Sequence, residues 1–427
     1  MTEANADRQA TVGEVFAIPE FRALWFARCL SLIGDQLARV ALAILAFDQT
    51  GSPALTALTY ALTYLPAVVS GPLLSGLADR YPRRAVMIAA DLARGILVLG
   101  LALPHLPLAV VATLIVAVIL LDAPFNAARL ATLPLILEGD RYPVGLGFTQ
   151  MAQQAVQLLG FGVGGVIVAT LGTHVAFIVD AGTFALSALL IRAFIKPRPA
   201  ALTTADASQS LRRSASATIR SLWDNAPLRY LILLSWVYGF FVVPEGLAAP
   251  YVAHIGEGTS AVGFFMAAAP TANVAGTFLI TRFIPPGRRS RYIAPLAVLC
   301  GVPLIAFAAS PNLLISILLL GIHGLLTGYL AVVMPAVVRL IPEARRGQGI
   351  GVVSSGMLTA QGLGLLLSGL VADMIGSGGS IAVFAGAGTA VALGASIGWA
   401  RAVARVERGQ AASGETADPD QGLADAR

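Results

Sequence analysis

The chain has 427 residues, of which 57% are hydrophobic and only 12% are charged, and its mean hydropathy is +0.79. Soluble domains carry about 25% charged residues, so this composition excludes a water-soluble globular fold and predicts an integral membrane protein. The net charge of +5 does not indicate a nucleic-acid-binding protein, because the basic residues are concentrated in particular loops.

The usual signatures of catalysis and metal binding are missing from the sequence. Cys29 and Cys300 lie inside apolar runs and are interpreted as packing residues. The four histidines are scattered, and there is no HExxH, Walker or Gly-x-Ser-x-Gly motif. We therefore expect no enzyme activity, no metal and no cofactor. The polar N-terminus lacks the features of a signal peptide, so the first apolar span is expected to be retained.

Apolar runs long enough to cross a bilayer, which takes about 20 residues, recur along the chain. They cover 22–47, 55–77, 85–103, 108–137, 144–170, 174–195, 228–253, 259–282, 292–309, 313–341, 348–374 and 380–400. The sequence thus predicts an all-α integral membrane protein with twelve transmembrane helices. The predicted organisation is a cytoplasmic tail over 1–21, a six-helix half over 22–195, a cytoplasmic linker over 196–227, a second six-helix half over 228–404 and a disordered cytoplasmic tail over 405–427.

The connections between these runs alternate in charge. "LADRYPRR", "EGDRYP", the 196–227 stretch, "PPGRRSR" and "PEARRGQG" are basic, whereas "DQTGSP", "PHLP", "LGTH", "AHIGEG", "SPN" and "GSGG" contain no Lys or Arg. Positively charged loops stay in the cytoplasm during insertion and contact anionic lipids. The asymmetry predicts a multi-pass protein of the cell inner membrane with both termini in the cytoplasm.

The two halves resemble each other at an offset of 204 residues. Arg141, Gly145, Gly147, Gln157, Gly160 and Gly165 fall on Arg345, Gly349, Gly351, Gln361, Gly364 and Gly369. This agreement indicates an internal repeat. Two pseudo-symmetric six-helix halves with a binding site at their interface are typical of secondary transporters.

The short basic loop after the second span resembles a known family signature. Leu77, Ala78, Asp79, Arg80, Arg83 and Arg84 match the loop 2–3 motif of the major facilitator superfamily, and Ser75 and Pro82 replace its two glycines. "LIGDQLARVALAILAFDQTGSPALTAL", "DAPFNAARLATLPLILEGDR" and "FIVDAGTFALSALLI" are similar to its macrolide-efflux and siderophore-export branch. Phe161 replaces the expected proline of an antiporter motif in span 5, and Thr281 replaces the expected acid in the second half.

This resemblance implies the major facilitator fold, with spans 1, 4, 7 and 10 around a central cavity. It also implies that Asp79, with Arg80, Arg83 and Arg84, forms a charge latch that breaks when the transporter opens inward. Anchoring of the arginines to headgroups is the alternative, but anchoring does not require Asp79.

Ionisable groups near the bilayer centre cost about 2.5–3.5 kcal/mol each and are functional candidates by default. Asp35 on span 1, Glu245 on span 7 and Asp122 on span 4 lie on cavity helices and are the candidates for proton coupling. Arg39 and Arg129 are their candidate charge partners. The alternative for Asp35 is simple neutralisation by Arg39, one helical turn away.

Two other charged sites are interpreted as structural. Asp91 and Arg94 are spaced i,i+3 on span 3 and predict a local ion pair. Asp180 lies on span 6, which is scaffold in the resembled family. These spans are expected to support the cavity helices and not to line the cavity.

A polar stripe and a group of aromatic residues are candidates for the substrate cavity. Gln150, Gln153, Gln154 and Gln157 share one face of span 5, and Trp236 and Phe240 lie on span 7. Lipid would not accept the glutamine face, so it must meet the cavity or another helix. Packing is the alternative for the aromatic residues.

The predicted function is proton-coupled efflux of an amphipathic or lipophilic small molecule by alternating access. Export of one endogenous metabolite or siderophore, import through the same fold and passive lipid scrambling are the alternatives. The expected partners are the small-molecule substrate, protons and membrane lipids, with no nucleic acid, and the expected oligomeric state is a monomer.

Overall fold

The computed structural model describes residues 11–74, 77–198, 219–342 and 346–413, and every regular element in those ranges is a helix. Within a bilayer each backbone N–H and C=O needs a partner inside the protein, and a helix supplies one within its own segment. The predicted all-α architecture is therefore confirmed for the described residues. They fall into two compact units, one within Met1–Leu45 and Val69–Thr203 and the other within Ala46–Val68 and Thr204–Arg427.

Unit 1 is built from the helices of the first half of the chain. Its elements are α1 (Val12–Phe16), most of α2 (Pro19–Thr50), the end of α4 (Leu65–Leu74), α5 (Leu77–Arg80), α6 (Arg83–Leu101), α7 (Leu108–Ile136) and α8 (Arg141–Phe194). Thr11 begins α1 by accepting a 3.3 Å hydrogen bond from the Glu14 backbone N–H, as an N-cap does. The apolar core of this unit includes the fully buried residues Met87, Phe125 and Ile191.

Unit 2 contains the end of α2, α3 and the helices of the second half. These are α3 (Pro53–Ala61), α9 (219–224), α10 (Ala226–Trp236), α11 (Tyr238–Phe241), α12 (Val243–Gly246), α13 (Ala248–His254), α14 (Thr259–Phe283), α15 (Pro286–Leu299), α16 (Val302–Ile305), a 3₁₀ turn (Ala306–Ala309), α17 (Leu313–Thr327), α18 (Leu330–Leu340) and α19 (Arg346–Ser413). The short helices α10 to α13 follow one another along one apolar span.

Two of these helices are too long for a single membrane crossing. α8 has 54 residues and α19 has 68, and a straight 54-residue helix would measure about 80 Å. Each helix is interrupted at a glycine with left-handed backbone geometry, Gly172 (φ 83°) and Gly376 (φ 79°), which residues with a side chain rarely adopt. Gly376 lies 204 positions after Gly172, the same offset as the sequence repeat.

The described part of the chain has nine helical segments long and apolar enough to cross a membrane. Large apolar side chains also lie on their outer faces: Ile96 is 71% exposed, Phe283 is 68% exposed and Met374 is 82% exposed. Lipid solvates such faces, whereas water would drive them to associate. The molecule is a multi-pass membrane protein.

Within unit 2, α3 packs closely along α19. A Cβ atom on Gly369 would lie 2.7 Å from the Ala57 Cβ, so the helices approach too closely there for a larger residue. At the start of α3, Asp373 accepts a 3.0 Å hydrogen bond from the Ala54 backbone N–H and lies 3.4 Å from the Ser52 hydroxyl. A carboxylate at a helix N-terminus is favourable, so Asp373 stabilises the start of α3.

Candidate functional site

A group of charged side chains surrounds Arg94 inside unit 1. Arg94, on α6, is 1% exposed. Its Nη2 donates to Asp35 of α2, at 2.9 Å from Oδ1 and 3.3 Å from Oδ2, and its Nη1 lies 3.2 Å from the Asp122 Oδ1 of α7. The predicted local pair with Asp91 is longer, at 4.0 Å. Arg94 therefore joins α2, α6 and α7, and we call these four residues the Arg94 cluster.

Asp122 has two further partners. The Nη1 of Arg28 donates to its Oδ1 at 3.3 Å, and the Asn126 Nδ2 donates to its Oδ2 at 2.6 Å. Arg28 precedes Asp35 by seven residues, so both project from one face of α2. Asp122 is thus shared by two guanidinium groups from different helices.

Two acidic side chains that the sequence analysis interpreted as structural have hydrogen-bond partners on α8: Asp91, which belongs to the cluster, and Asp180. The Ser187 hydroxyl donates to Asp91 Oδ2 at 2.5 Å, and the Thr183 hydroxyl donates to Asp180 Oδ1 at 3.3 Å. The Phe184 ring lies 4.2 Å from the Arg94 guanidinium carbon, a cation–π arrangement. These contacts come from α8, so four helices of unit 1 meet at Arg94.

Charged side chains of both signs are concentrated in this region. The acids are Asp35, Asp91, Asp122 and Asp180, and the neighbouring bases are Arg28, Arg94 and Arg129, with Arg39 one helical turn after Asp35. Arg129 is 7% exposed and its Nε makes no hydrogen bond to the described residues. Charged groups are costly where water is scarce, so the pairing of these acids and bases decides whether they are tolerated there.

Asp35 and Asp122 are the two acids of the cluster that reach an open surface. Their side chains are 24% and 31% exposed, whereas those of Arg94 and Asp91 are 1% and 0% exposed. Arg39 is half-buried and lies one turn after Asp35 on α2. The geometry gives Asp35 a partner on another helix, Arg94, whose Nη2 contacts both carboxylate oxygens. Spacing along α2 alone does not indicate this partner.

Glu245, the third acidic candidate, lies in unit 2 and is 9% exposed. Its Oε2 accepts hydrogen bonds from the Tyr60 hydroxyl at 3.0 Å and the Tyr64 hydroxyl at 3.4 Å. Tyr60 belongs to α3 and Tyr64 follows it. Glu245 also borders a small cavity with Tyr238 and His323. Glu245 therefore joins α12 to α3 through its carboxylate, and the residue also lines that cavity.

The basic residues of the "LADRYPRR" loop contact backbone carbonyls of two helices of unit 1, and one of these carbonyls lies in the last turn of α8. The Arg83 Nη1 donates to the Ala131 carbonyl at 2.8 Å, and the Arg84 Nη2 donates to the Arg192 carbonyl at 2.5 Å. Cationic side chains are favourable near helix C-termini. Arg80 is exposed, and the Asp79 side chain lies outside the described residues. The latch assigned to this loop stays a prediction.

The other cavity candidates are distributed over both units. In unit 1, Gln153 and Gln157 are half-buried on α8, and the side chains of Gln150 and Gln154 lie outside the described residues. In unit 2, the Trp236 Nε1 donates to the Val353 carbonyl at 3.0 Å, and the Phe240 ring lies 6.2 Å from the Phe384 ring. Both aromatic residues pack against α19 and are half-buried.

The sequence analysis did not identify three residues that organise these sites. Arg94 was assigned to a local pair, and Tyr60 and His323 were not considered. The seven-residue spacing of Arg28 and Asp35 is a signal that the α2 acid has partners along one face. No local pattern marks Tyr60 or His323, since their partners lie far away in the chain.

Comparison with known proteins agrees with this architecture. The family model described as Major Facilitator Superfamily matches residues 24–328. Macrolide efflux protein A of Streptococcus pyogenes is 23% identical over 371 residues, which cover 84% of this chain and 90% of that protein. Multidrug efflux pump Tap of Mycolicibacterium fortuitum is 26% identical over 368 residues, covering 82% and 88%. A crystal structure of the nucleoside transporter NupG aligns with a TM-score of 0.72 at 15% identity, covering 89% of this chain and 100% of that one.

Proposed function

Because the chain belongs to the major facilitator superfamily and is therefore a membrane transporter, we propose that it exports an amphipathic or lipophilic small molecule in exchange for protons. The names of its relatives, a macrolide efflux protein and a multidrug efflux pump, favour export of foreign or secondary compounds. The Arg94 cluster carries the coupling part of the proposal, because the partly exposed acids Asp35 and Asp122 both contact the buried Arg94.

The proposal includes twelve transmembrane helices in two six-helix halves. Nine candidate segments are present in the described ranges, and two of them divide at Gly172 and Gly376. The remaining span is α6, whose Arg83, Arg84, Asp91 and Arg94 make it too charged to count as an apolar helix. The basic loops support cytoplasmic termini and an inner-membrane location.

In the proposed mechanism, Asp35 carries the proton. When Asp35 is ionised, it binds Arg94 through both carboxylate oxygens, and this fixes α2 against α6. When a proton neutralises Asp35, this charge-assisted pair weakens. The charged contacts of Arg94 are then those with Asp122 and Asp91. Two arrangements of one guanidinium thus correspond to two protonation states, and a transported molecule that prefers one arrangement is coupled to the proton.

The test is accumulation of a radiolabelled macrolide in everted vesicles from a host that lacks its own pumps. We expect uptake into these vesicles that requires a proton gradient and stops with an uncoupler. Everted vesicles have the cytoplasmic face outside, so a gradient-driven loss of labelled macrolide from their lumen would instead support import. Movement of labelled lipid without a gradient in liposomes would support the scramblase. A drug-susceptibility panel in the same host separates a broad exporter from one dedicated to a single metabolite.

The latch is tested by Asp79→Asn. We expect this variant to insert normally but to transport several-fold more slowly, because the acid of the cytoplasmic charge network is lost while Arg83 and Arg84 still bind backbone carbonyls. Asp140→Asn, an exposed acid at the neighbouring cytoplasmic loop, is the matched control. Normal transport by well-expressed Asp79→Asn would leave headgroup anchoring as the role of this loop.

The glutamine stripe is tested by single cysteines at Gln153 and Gln157 in a background without Cys29 and Cys300. If this face of α8 meets the cavity, both cysteines should react with a water-soluble thiol reagent, and a bound macrolide should slow the reaction. A cysteine at Met151, which is 71% exposed on the same helix, reports the reactivity of a face outside the stripe. Inertness at both glutamine positions would assign the stripe to helix packing.

A further inference from the structure

The start of α15 and the end of α19 lie side by side at one end of unit 2. The Ser396 hydroxyl donates to the Ala294 carbonyl at 3.5 Å. Gly301 follows α15, and a Cβ atom added to it would collide with the hydroxyl of Thr389 on α19. From the first contact to the second, the number rises by seven on one helix and falls by seven on the other. The helices therefore run antiparallel, and residues before Ala294 and after Ser396 lie at the same end.

This shared end carries four exposed arginines, Arg288 and Arg291 on α15 and Arg401 and Arg405 on α19. The sequence has no Asp or Glu over 286–299 or over 377–406. None of the four arginines forms an ion pair with a side chain that the structure describes. At the rise of an α-helix, Arg291 lies about 4.5 Å beyond the contact between the helices and Arg401 about 7.5 Å beyond it, so the two are nearly level.

The neighbouring Arg289 differs from these four because the fold uses its charge. Its Nε donates to the Ile284 carbonyl at 2.9 Å and its Nη2 donates to the Thr281 carbonyl at 2.6 Å. Both carbonyls lie at the end of α14, where a cation is favourable. Arg288 and Arg291 have no such hydrogen bond to the described residues, so their guanidinium groups are available to a molecule outside the protein.

The length of α19 places this end at the level of lipid headgroups. Arg401 follows the interruption at Gly376 by 25 residues, which is about 38 Å of helix, whereas the hydrocarbon core of a bilayer is about 30 Å thick. Tyr292 on α15 is 45% exposed, and tyrosine is enriched at this interface. On the membrane side of the arginines, Leu299 of α15 is 48% exposed and Ile397 of α19 is 44% exposed, which gives acyl chains an apolar surface.

We propose that an anionic phospholipid binds at this end of unit 2, with its phosphate between Arg291 and Arg401. Guanidinium groups form charge-assisted hydrogen bonds with phosphate, and they are weakly hydrated. Like charges on two packed helices repel each other, so a phosphate between them stabilises the packing of α15 on α19. Arg288 and Arg405, one turn further out, add attraction to an anionic membrane surface. This site is separate from the headgroup anchoring considered for "LADRYPRR" in unit 1, and it goes beyond the proposed function.

Binding is measured on the purified full-length protein in detergent, by native mass spectrometry and by thermal unfolding. Dioleoylphosphatidylglycerol is the anionic probe, and dioleoylphosphatidylcholine is the zwitterionic comparison. We expect saturable, tighter binding of the anionic lipid and a higher unfolding temperature, since a ligand of the folded state stabilises it. The Arg291→Gln, Arg401→Gln double variant should lower the affinity about tenfold and lose most of this stabilisation. A parent protein without preference for the anionic lipid would overturn the proposal.

The matched control is the Arg141→Gln, Arg339→Gln double variant, which removes two positive charges from exposed arginines elsewhere in the chain. It should bind the anionic lipid as the parent does. An equal loss of affinity in both double variants would mean diffuse attraction and would overturn the site.

Inorganic phosphate distinguishes a lipid from a soluble anion. At millimolar concentration it should neither displace the bound phosphatidylglycerol nor raise the unfolding temperature, because it lacks the acyl chains. Stabilisation by phosphate equal to that by the lipid would overturn the lipid assignment. Transport is not measured in these experiments, so either failure would leave the proposed function standing.

Discussion

Replacing Arg94 with methionine is expected to abolish transport and to reduce strongly the amount of folded protein in the membrane. The substitution keeps an unbranched apolar stem but removes the guanidinium that binds Asp35 and Asp122 and lies beside Asp91. Removing one partner of a buried ion pair typically costs about 3–5 kcal/mol, because the other charge stays buried without compensation. In Arg94→Met, several carboxylates lose a cationic partner at once, so we expect a cost of at least this size.

The measurement is the yield and the thermal unfolding of the detergent-solubilised protein, with macrolide uptake into vesicles as the activity. Arg141→Met, at an exposed arginine of unit 1, controls for the loss of a positive charge. Adding Asp35→Asn to Arg94→Met removes the carboxylate that Arg94 binds most closely and should restore part of the stability without restoring transport. Arg94→Met protein with normal yield and normal uptake would refute the central role of the cluster.

Asp35→Asn is expected to abolish uphill efflux while preserving downhill exchange of the transported molecule. The asparagine side chain is nearly the same size and still accepts one hydrogen bond from Arg94, so the fold should be retained. It cannot exchange a proton or form the charged pair in which the Arg94 Nη2 contacts both carboxylate oxygens, at 2.9 Å and 3.3 Å. Loss of gradient-driven uptake with normal counterflow of labelled macrolide would therefore identify Asp35 as the coupling group.

Two further variants make this result specific. Asp48→Asn changes an exposed acid on the same helix α2 and should pump normally. Asp122→Asn should weaken coupling less than Asp35→Asn, because Arg94 keeps its contacts with both carboxylate oxygens of Asp35. If Asp35→Asn pumps uphill normally and Glu245→Gln does not, the carrier lies in unit 2. Normal uphill pumping by both variants would refute proton coupling through these two carboxylates.

The sequence by itself determined the class of the protein and its family. Membrane insertion depends on local hydropathy over about 20 residues, and loop charge sets orientation within a few residues of each span. Both features are local, so the sequence alone is sufficient to predict them. The helical, membrane-spanning architecture is confirmed in the described ranges, and the match of the family model over 24–328 confirms the family resemblance inferred from "LADRYPRR". The twelve-helix count, export and proton coupling stay predictions.

Only the tertiary structure decided which charged groups meet. The sequence paired Arg94 with Asp91 because they are one turn apart, yet Arg94 lies closer to Asp35 and Asp122, which are 59 residues before it and 28 residues after it. Glu245 and Tyr60 are likewise 185 residues apart. Spacing along one helix reveals only its own neighbours, three or four residues away. Which faces of different helices pack together depends on side-chain shape across the whole unit, and that packing brought Arg94 and His323 into the candidate sites.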